Sequence, residues 1–130
     1  MTRLVLNADG ASRGNPGNAA IGAVLKDEAG RTVATISRVV GRKTNNQAEY
    51  LALIAGLERA IALGAQRVEV RLDSELVVKQ LQGRYRVKAA ALRPLYLRAV
   101  GLLQELDGFT IRHVPREQNA EADRLANAAL

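Results

Sequence analysis

Three β-prone runs follow one another before the first helical pattern appears, and after it strand and helix patterns alternate. That order admits few folds, because strands joined by short turns pair antiparallel, whereas strands separated by a helix return parallel through a right-handed crossover. The first run, residues 3–9, is apolar and ends on Asp9; Gly10 is expected to stop it, and the turn-rich Gly14-Asn15-Pro16-Gly17 to form a loop. Residues 19–26 and 31–40 read as a hairpin around Asp27-Glu28-Ala29-Gly30. Thr44 and Gln47 match a capping box for a helix that ends at Gly64, and its apolar residues cover two faces, so it packs on several sides. Val68, Val70 and Leu72 alternate with Glu69, Arg71 and Asp73 in a strand that stops where Ser74 opens a short helix, Glu75 to Gln82. After the link 83–88, residues 89–106 suit a helix with Pro94 near its first turn. Phe109 to Val114 is a final strand, residues 115–118 a loop, and Asn119 the cap of a last helix reaching Leu130. The order β-β-β-α-β-α-α-β-α predicts an α/β fold with a mixed sheet, in one domain spanning residues 1–130.

Composition narrows what such a domain can do. Hydrophobic residues make up 48% of the 130 and charged residues 25%, which supports a packed core and excludes a disordered chain. Without cysteine there is no disulfide, thiolate zinc site, iron–sulfur cluster or thiol nucleophile. The formal charge is +6, and 15 of the 19 basic residues are Arg, the side chain that pairs with phosphate through two parallel hydrogen bonds. A polyanionic partner fits. With only Tyr50, Tyr85, Tyr96 and Phe109 as aromatics, a nucleic acid would be gripped by its backbone rather than by stacked bases. No apolar run approaches the roughly 18 residues of a membrane span, and no signal-type segment precedes Arg3, so the chain is expected to be cytoplasmic, without a membrane partner.

Four carboxylates share one topological property. Asp9 and Asp73 end strands, while Glu49 and Asp123 fall in the first two turns of helices capped at Thr44 and Asn119. If those strands are neighbours, all four converge at one sheet edge, where open α/β sheets place their sites. Each alone has a plainer reading: Glu49 or Asp123 as complement to a helix dipole, Asp73 as a strand-to-helix cap. Together they form a cluster of like charge that must raise its pKa values or hold divalent cations, and an all-oxygen donor set suits Mg²⁺ or Mn²⁺.

The segments Asn7-Ala-Asp9-Gly10 with Gly14-Asn-Pro-Gly17, Thr44-Asn-Asn-Gln-Ala-Glu49-Tyr50, Leu72-Asp73-Ser74 and Gln118-Asn-Ala-Glu-Ala-Asp123 stand in the order and spacing of the type 1 ribonuclease H family, which the chain resembles over essentially its whole length. The resemblance implies a ribonuclease H-like fold, with a five-stranded mixed sheet (an antiparallel three-strand meander plus two parallel strands) flanked by helices. It also implies an endonuclease that hydrolyses the RNA strand of RNA–DNA hybrids with two Mg²⁺ ions, Mn²⁺ being a substitute, and leaves a 5′-phosphate and a 3′-hydroxyl. The matching metal ligands are Asp9, Glu49, Asp73 and Asp123, and Asp9, on the first strand, is the best placed to bridge both ions. Asn15, Asn45 and Asn46 match residues that reach the minor groove, where the 2′-hydroxyl distinguishes RNA from DNA, and Thr44 matches one that holds a DNA phosphate. Without the resemblance, Asn15 is a turn former and Asn45 and Asn46 a polar first helical turn.

Three departures mark a compact, archaeal-like variant. The long basic insertion after the short helix is missing, and the link offers only Arg84, Arg86 and Lys88, which read equally as a solvated turn. Tyr85 is the nearest stand-in for the tryptophan usually found near the DNA strand, with packing as its other role. The histidine often found before the last helix is absent, and Arg116 stands where compact members carry an arginine; His113, the only histidine, belongs to a strand and is expected to be structural. Two further readings are cleavage of double-stranded RNA and a non-catalytic hybrid-binding module, the latter disfavoured because a binder of phosphate gains nothing from four unpaired negative charges. The chain is expected to be monomeric.

Overall fold

A computed structural model describes residues 3–130. Five strands and four helices follow in order: β1 Arg3–Gly14, β2 Gly17–Lys26, β3 Thr32–Lys43, α1 Asn45–Ala62, β4 Arg67–Leu72, α2 Glu75–Leu81, α3 Arg93–Gln104, β5 Gly108–His113 and α4 Ala120–Ala129, with a 3-10 turn at Arg116–Asn119 before the last helix. The sheet order is β3-β2-β1-β4-β5. β1 to β3 form the antiparallel meander, and β4 and β5 add to the other edge in parallel, as short turns and helical crossovers require. The central position of β1 puts it beside both halves of the sheet.

The expected order of elements is borne out, with differences of extent and of capping. β1 does not stop at Asp9 but continues through Gly10 to Gly14, because the hairpin with β2 pairs the whole stretch, from Asp9↔Gly22 to Gly14↔Gly17. Asp9 is therefore an interior strand residue. β3 likewise runs to Lys43 rather than Val40, its ladder passing the irregularity between Ala19 and Ala20. Residues 89–92 form turns, and α3 starts at Arg93, with Pro94 in its first turn, where a missing N–H costs nothing. Asn119 makes no side-chain cap bond to α4, having been drawn into the protein instead.

Alternate residues of β1 divide the sheet's two faces. Leu4, Leu6 and Ala8 are buried toward α1, which contributes Tyr50, Leu53 and Leu57, while Val68, Val70 and Leu72 extend the same core along β4. On the other face α4 crosses β2 with Ala122 and Ala126 fully buried. That crossing needs Gly22, since a Cβ there would stand 2.1 Å from the Ala122 carbonyl oxygen and 2.5 Å from the Ala126 nitrogen. Among the described residues no helix is long and apolar enough to cross a membrane.

Candidate active site

The parallel register Asn7↔Arg71, carried two residues further, sets Asp9 beside Asp73 at the end of β4. Glu49 arrives from the second turn of α1. The helix starts sharply because Thr44 and Gln47 form the capping box: Thr44 Oγ1 accepts from the Gln47 N–H at 3.2 Å, and Gln47 Oε1 accepts from the Thr44 N–H at 2.9 Å. It can lie against β1 because Gly10 has no side chain. A Cβ at that position would be 2.4 Å from the Ala48 carbonyl carbon and 2.5 Å from the Glu49 nitrogen. The close approach lets the Gly10 N–H donate to Glu49 Oε1 at 2.8 Å.

One oxygen from each of Asp9, Glu49 and Asp73 lies within 4.8 Å of the other two. Asp123, from α4, stands outside that group but lines the same 460 Å³ cleft, together with Asn45, Asn46 and Arg116. Burial raises the Asp9 pKa to about 11, helped by the adjoining Glu49 carboxyl and by the charge of Asp73. The Glu49 pKa is also raised, mainly by burial, although the adjoining Asp9 carboxyl and the Gly10 N–H oppose the shift. Glu49 Oε2 is buried and has no hydrogen-bond partner. An unpaired buried carboxylate oxygen among acidic neighbours, with oxygen donors throughout, fits a hard divalent cation such as Mg²⁺ or Mn²⁺.

This crowding has a pH signature. A carboxyl group whose pKa is raised on folding stabilises the protein below its unfolded value, 3.8 for Asp9, and that contribution is lost as pH climbs toward the folded value. In chelator the protein should therefore melt lower at pH 8 than at pH 5, each proton held only by the folded state contributing about 1.4 kcal/mol per pH unit. Asp9→Asn should flatten that dependence and melt higher than the parent at pH 8. Parallel melting curves for the two proteins across this range would contradict the clustered arrangement.

The remaining expected residues divide into two groups. Asn45 and Asn46 line the cleft, and Asn15 reaches it indirectly, its Oδ1 accepting from the Asn45 N–H at 3.0 Å. The hydroxyl of Thr44 is engaged in its cap. Arg84 is exposed in the link, while Tyr85 and Arg86 line a separate groove of 630 Å³ with Lys88, Arg93 and Tyr96, and the Lys79 ammonium sits 5.0 Å from the Tyr85 ring centre. His113 is exposed at the end of β5, paired with Leu72, and does not line the carboxylates' cleft. Sequence reasoning missed Ser12, Ser74 and Asn127 in the cleft wall. Of these, Asn127 carried a readable signal, since it falls one helical turn after Asp123.

A family profile described as reverse transcriptase-like matches residues 7–129. The chain is 52% identical over 122 residues to ribonuclease HI of Halobacterium salinarum, covering 94% of this chain and 61% of that one. It is 47% identical over 129 residues to bifunctional protein Rv2228c of Mycobacterium tuberculosis, covering 98% of this chain and 35% of the relative. It thus spans between about a third and three fifths of these two relatives' lengths. Among solved structures, RNase H1 of Halobacterium salinarum superposes with a TM-score of 0.96 at 50% identity, over 98% of this chain and 96% of that one. LC11-RNase H1 in complex with an RNA/DNA hybrid superposes with a TM-score of 0.92 at 43% identity, over 97% and 95% of the two chains.

Proposed function

The chain belongs to the ribonuclease H family, and from that membership we propose that residues 1–130 form a ribonuclease H domain that hydrolyses the RNA strand of RNA–DNA hybrids. Asp9, Glu49, Asp73 and Asp123 would hold two Mg²⁺ ions, with Mn²⁺ as a substitute. When bound, such a pair supplies charge neutralisation on both sides of a phosphodiester undergoing in-line displacement, which would leave a 5′-phosphate and a 3′-hydroxyl. The observation that carries this reading is the buried, unpartnered Glu49 Oε2 within a carboxylate trio whose cleft is also walled by Asn45 and Asn46. Three carboxyl groups without a cation would offer phosphate nothing to pair with, so the cleft makes sense as a place for phosphate and cation together.

The chain's own groups would divide the remaining work. Asn45 and Asn46, at the cleft wall, offer amides suited to the 2′-hydroxyl and base edges in the minor groove, and Asn15 braces them through the Asn45 backbone. Arg116 brings a permanent positive charge to the same cleft, where negative charge builds as the phosphodiester breaks. Arg84, Tyr85 and Arg86, lying apart from the carboxylates, would act on affinity through the backbone of the flanking duplex.

The test is a labelled RNA–DNA hybrid incubated with Mg²⁺ and with chelator, beside double-stranded RNA, double-stranded DNA and single-stranded RNA of the same sequence. Cutting of the RNA strand of the hybrid only when Mg²⁺ is present is the expected result. Binding of the hybrid without any cutting would reduce the protein to a binding module. Cutting of double-stranded RNA in preference to the hybrid would move the substrate class.

A further inference from the structure

Asn119 ends the 3-10 turn just before α4, and Asp123 and Asn127 follow it at intervals of four residues, the last two one turn apart on the same face of the helix. The two asparagines do different things. Asn119 is 1% exposed, and both ends of its amide are spent on β1: Nδ2 donates to the Ala8 carbonyl at 2.9 Å, and Oδ1 accepts from Asn7 Nδ2 at 3.0 Å. Ala8 is the residue before Asp9. The start of α4 is thus pinned to the strand position next to the most buried of the aspartates. Asn127 lies one turn past Asp123, in the wall of the same cleft, and its Nδ2 donates both to the Asp123 carbonyl at 2.9 Å and to Asp123 Oδ1 at 3.2 Å.

Asp123 needs this help because it comes from an element with no backbone ladder to β1, unlike Asp73, and stands outside the 4.8 Å group formed by the other three. A carboxylate on a helix surface has free rotamers; the direction it presents is set by the helix's register on the sheet and by whatever holds its oxygens. We infer that Asn119 and Asn127 are positioning residues that aim the Asp123 carboxylate into the cleft, Asn119 by registering α4 on β1 and Asn127 by fixing one carboxylate oxygen. The inference rests on the ribonuclease reading for its kinetic consequences, but not for its effect on cation binding.

The experiment uses the full chain with Asn127→Ala, Asn7→Ala, Asn119→Ala, Asp123→Asn and the doubles that pair each asparagine change with Asp123→Asn. Mn²⁺ binding is measured by calorimetry, and hybrid cleavage is followed against Mg²⁺ concentration. Loss of an outer partner of a metal-ligating side chain typically costs 10–100-fold in affinity or rate. Asn127→Ala should accordingly weaken Mn²⁺ binding and lower kcat by about 10-fold, leave the KM for hybrid within about twofold, and be silent once Asp123 is already Asn. Asn7→Ala, which frees the Asn119 amide while leaving its bond to Ala8, should give the same pattern at smaller size. It covers the case in which Asn119→Ala loses its fold outright. Mn²⁺ binding unchanged in Asn127→Ala, or additive effects in the doubles, would overturn the inference. A parent that binds Mn²⁺ and loses that binding as described, yet cuts no hybrid, would leave the positioning role standing and remove the ribonuclease reading instead.

Discussion

Asp9→Asn should lower hybrid cleavage by about 10³-fold or more, roughly 4 kcal/mol of transition-state stabilisation, while the variant still binds hybrid. The substitution keeps the side chain's shape in a site that is 5% exposed, so no cavity opens and the sheet is undisturbed. What it removes is one carboxyl group at the centre of the cluster, beside Glu49 and Asp73, which on the proposed reading would hold the cations. On the proposed reading the grip on nucleic acid should survive, because it would be spread over the asparagines of the cleft wall and the arginines of the link. Single-turnover cleavage with a filter-binding or anisotropy control measures both halves. Cleavage within tenfold of the parent would show that Asp9 is not part of the machinery.

Gly10→Ala should be the most damaging of the small substitutions. The added methyl would meet the backbone of α1 at 2.4 and 2.5 Å, and backbone, unlike the tip of a long side chain, has no rotamer to escape into. The helix must lift from β1, at a cost of about 3 kcal/mol, which is near 10 °C in Tm for a chain of this size. Lifting the helix also breaks the Gly10 N–H bond to Glu49, so cleavage should be lost even below the melting range, where the chain is still folded. Gly30→Ala supplies the contrast: nothing lies within 4 Å of its Cβ, and only the left-handed backbone there, φ 82°, resists the change. Equal melting and activity for these two variants would mean that the close approach of α1 is not what places Glu49.

These two adjacent residues also show where the sequence could be read and where it could not. Asp9 was legible as a member of the carboxylate cluster from topology, since the order of elements puts its strand next to the one that leads to Asp73, and the capping box at Thr44 located Glu49 within the second turn of its helix. Gly10 was misread as a stop. Glycine does punctuate strands, but the ladder with β2 asks only for backbone groups, which Gly10 and Gly14 supply as well as any residue, so the strand continues through them. The reason a glycine is needed at position 10 lies 38 and 39 residues away, at Ala48 and Glu49, and no local periodicity encodes a contact of that span. Asn119 failed for the opposite cause: its residue type is right for a cap, yet the Ala8 carbonyl and the Asn7 amide offered it two partners inside the protein, and burial with both bonds made outweighs one exposed cap bond.

The crossing of α4 over Gly22 also bears on the order in which the four carboxylates come together. α4 is last in chain order, so a polypeptide growing on the ribosome delivers Asp9, Glu49 and Asp73 well before the helix that brings Asp123 and seals β2. Domains fold as their residues emerge, N-terminal parts first. A growing chain would thus hold three of the carboxylates while the fourth is still inside the exit tunnel. The set of four is complete only once α4 settles into the notch that the missing side chain at Gly22 leaves in β2.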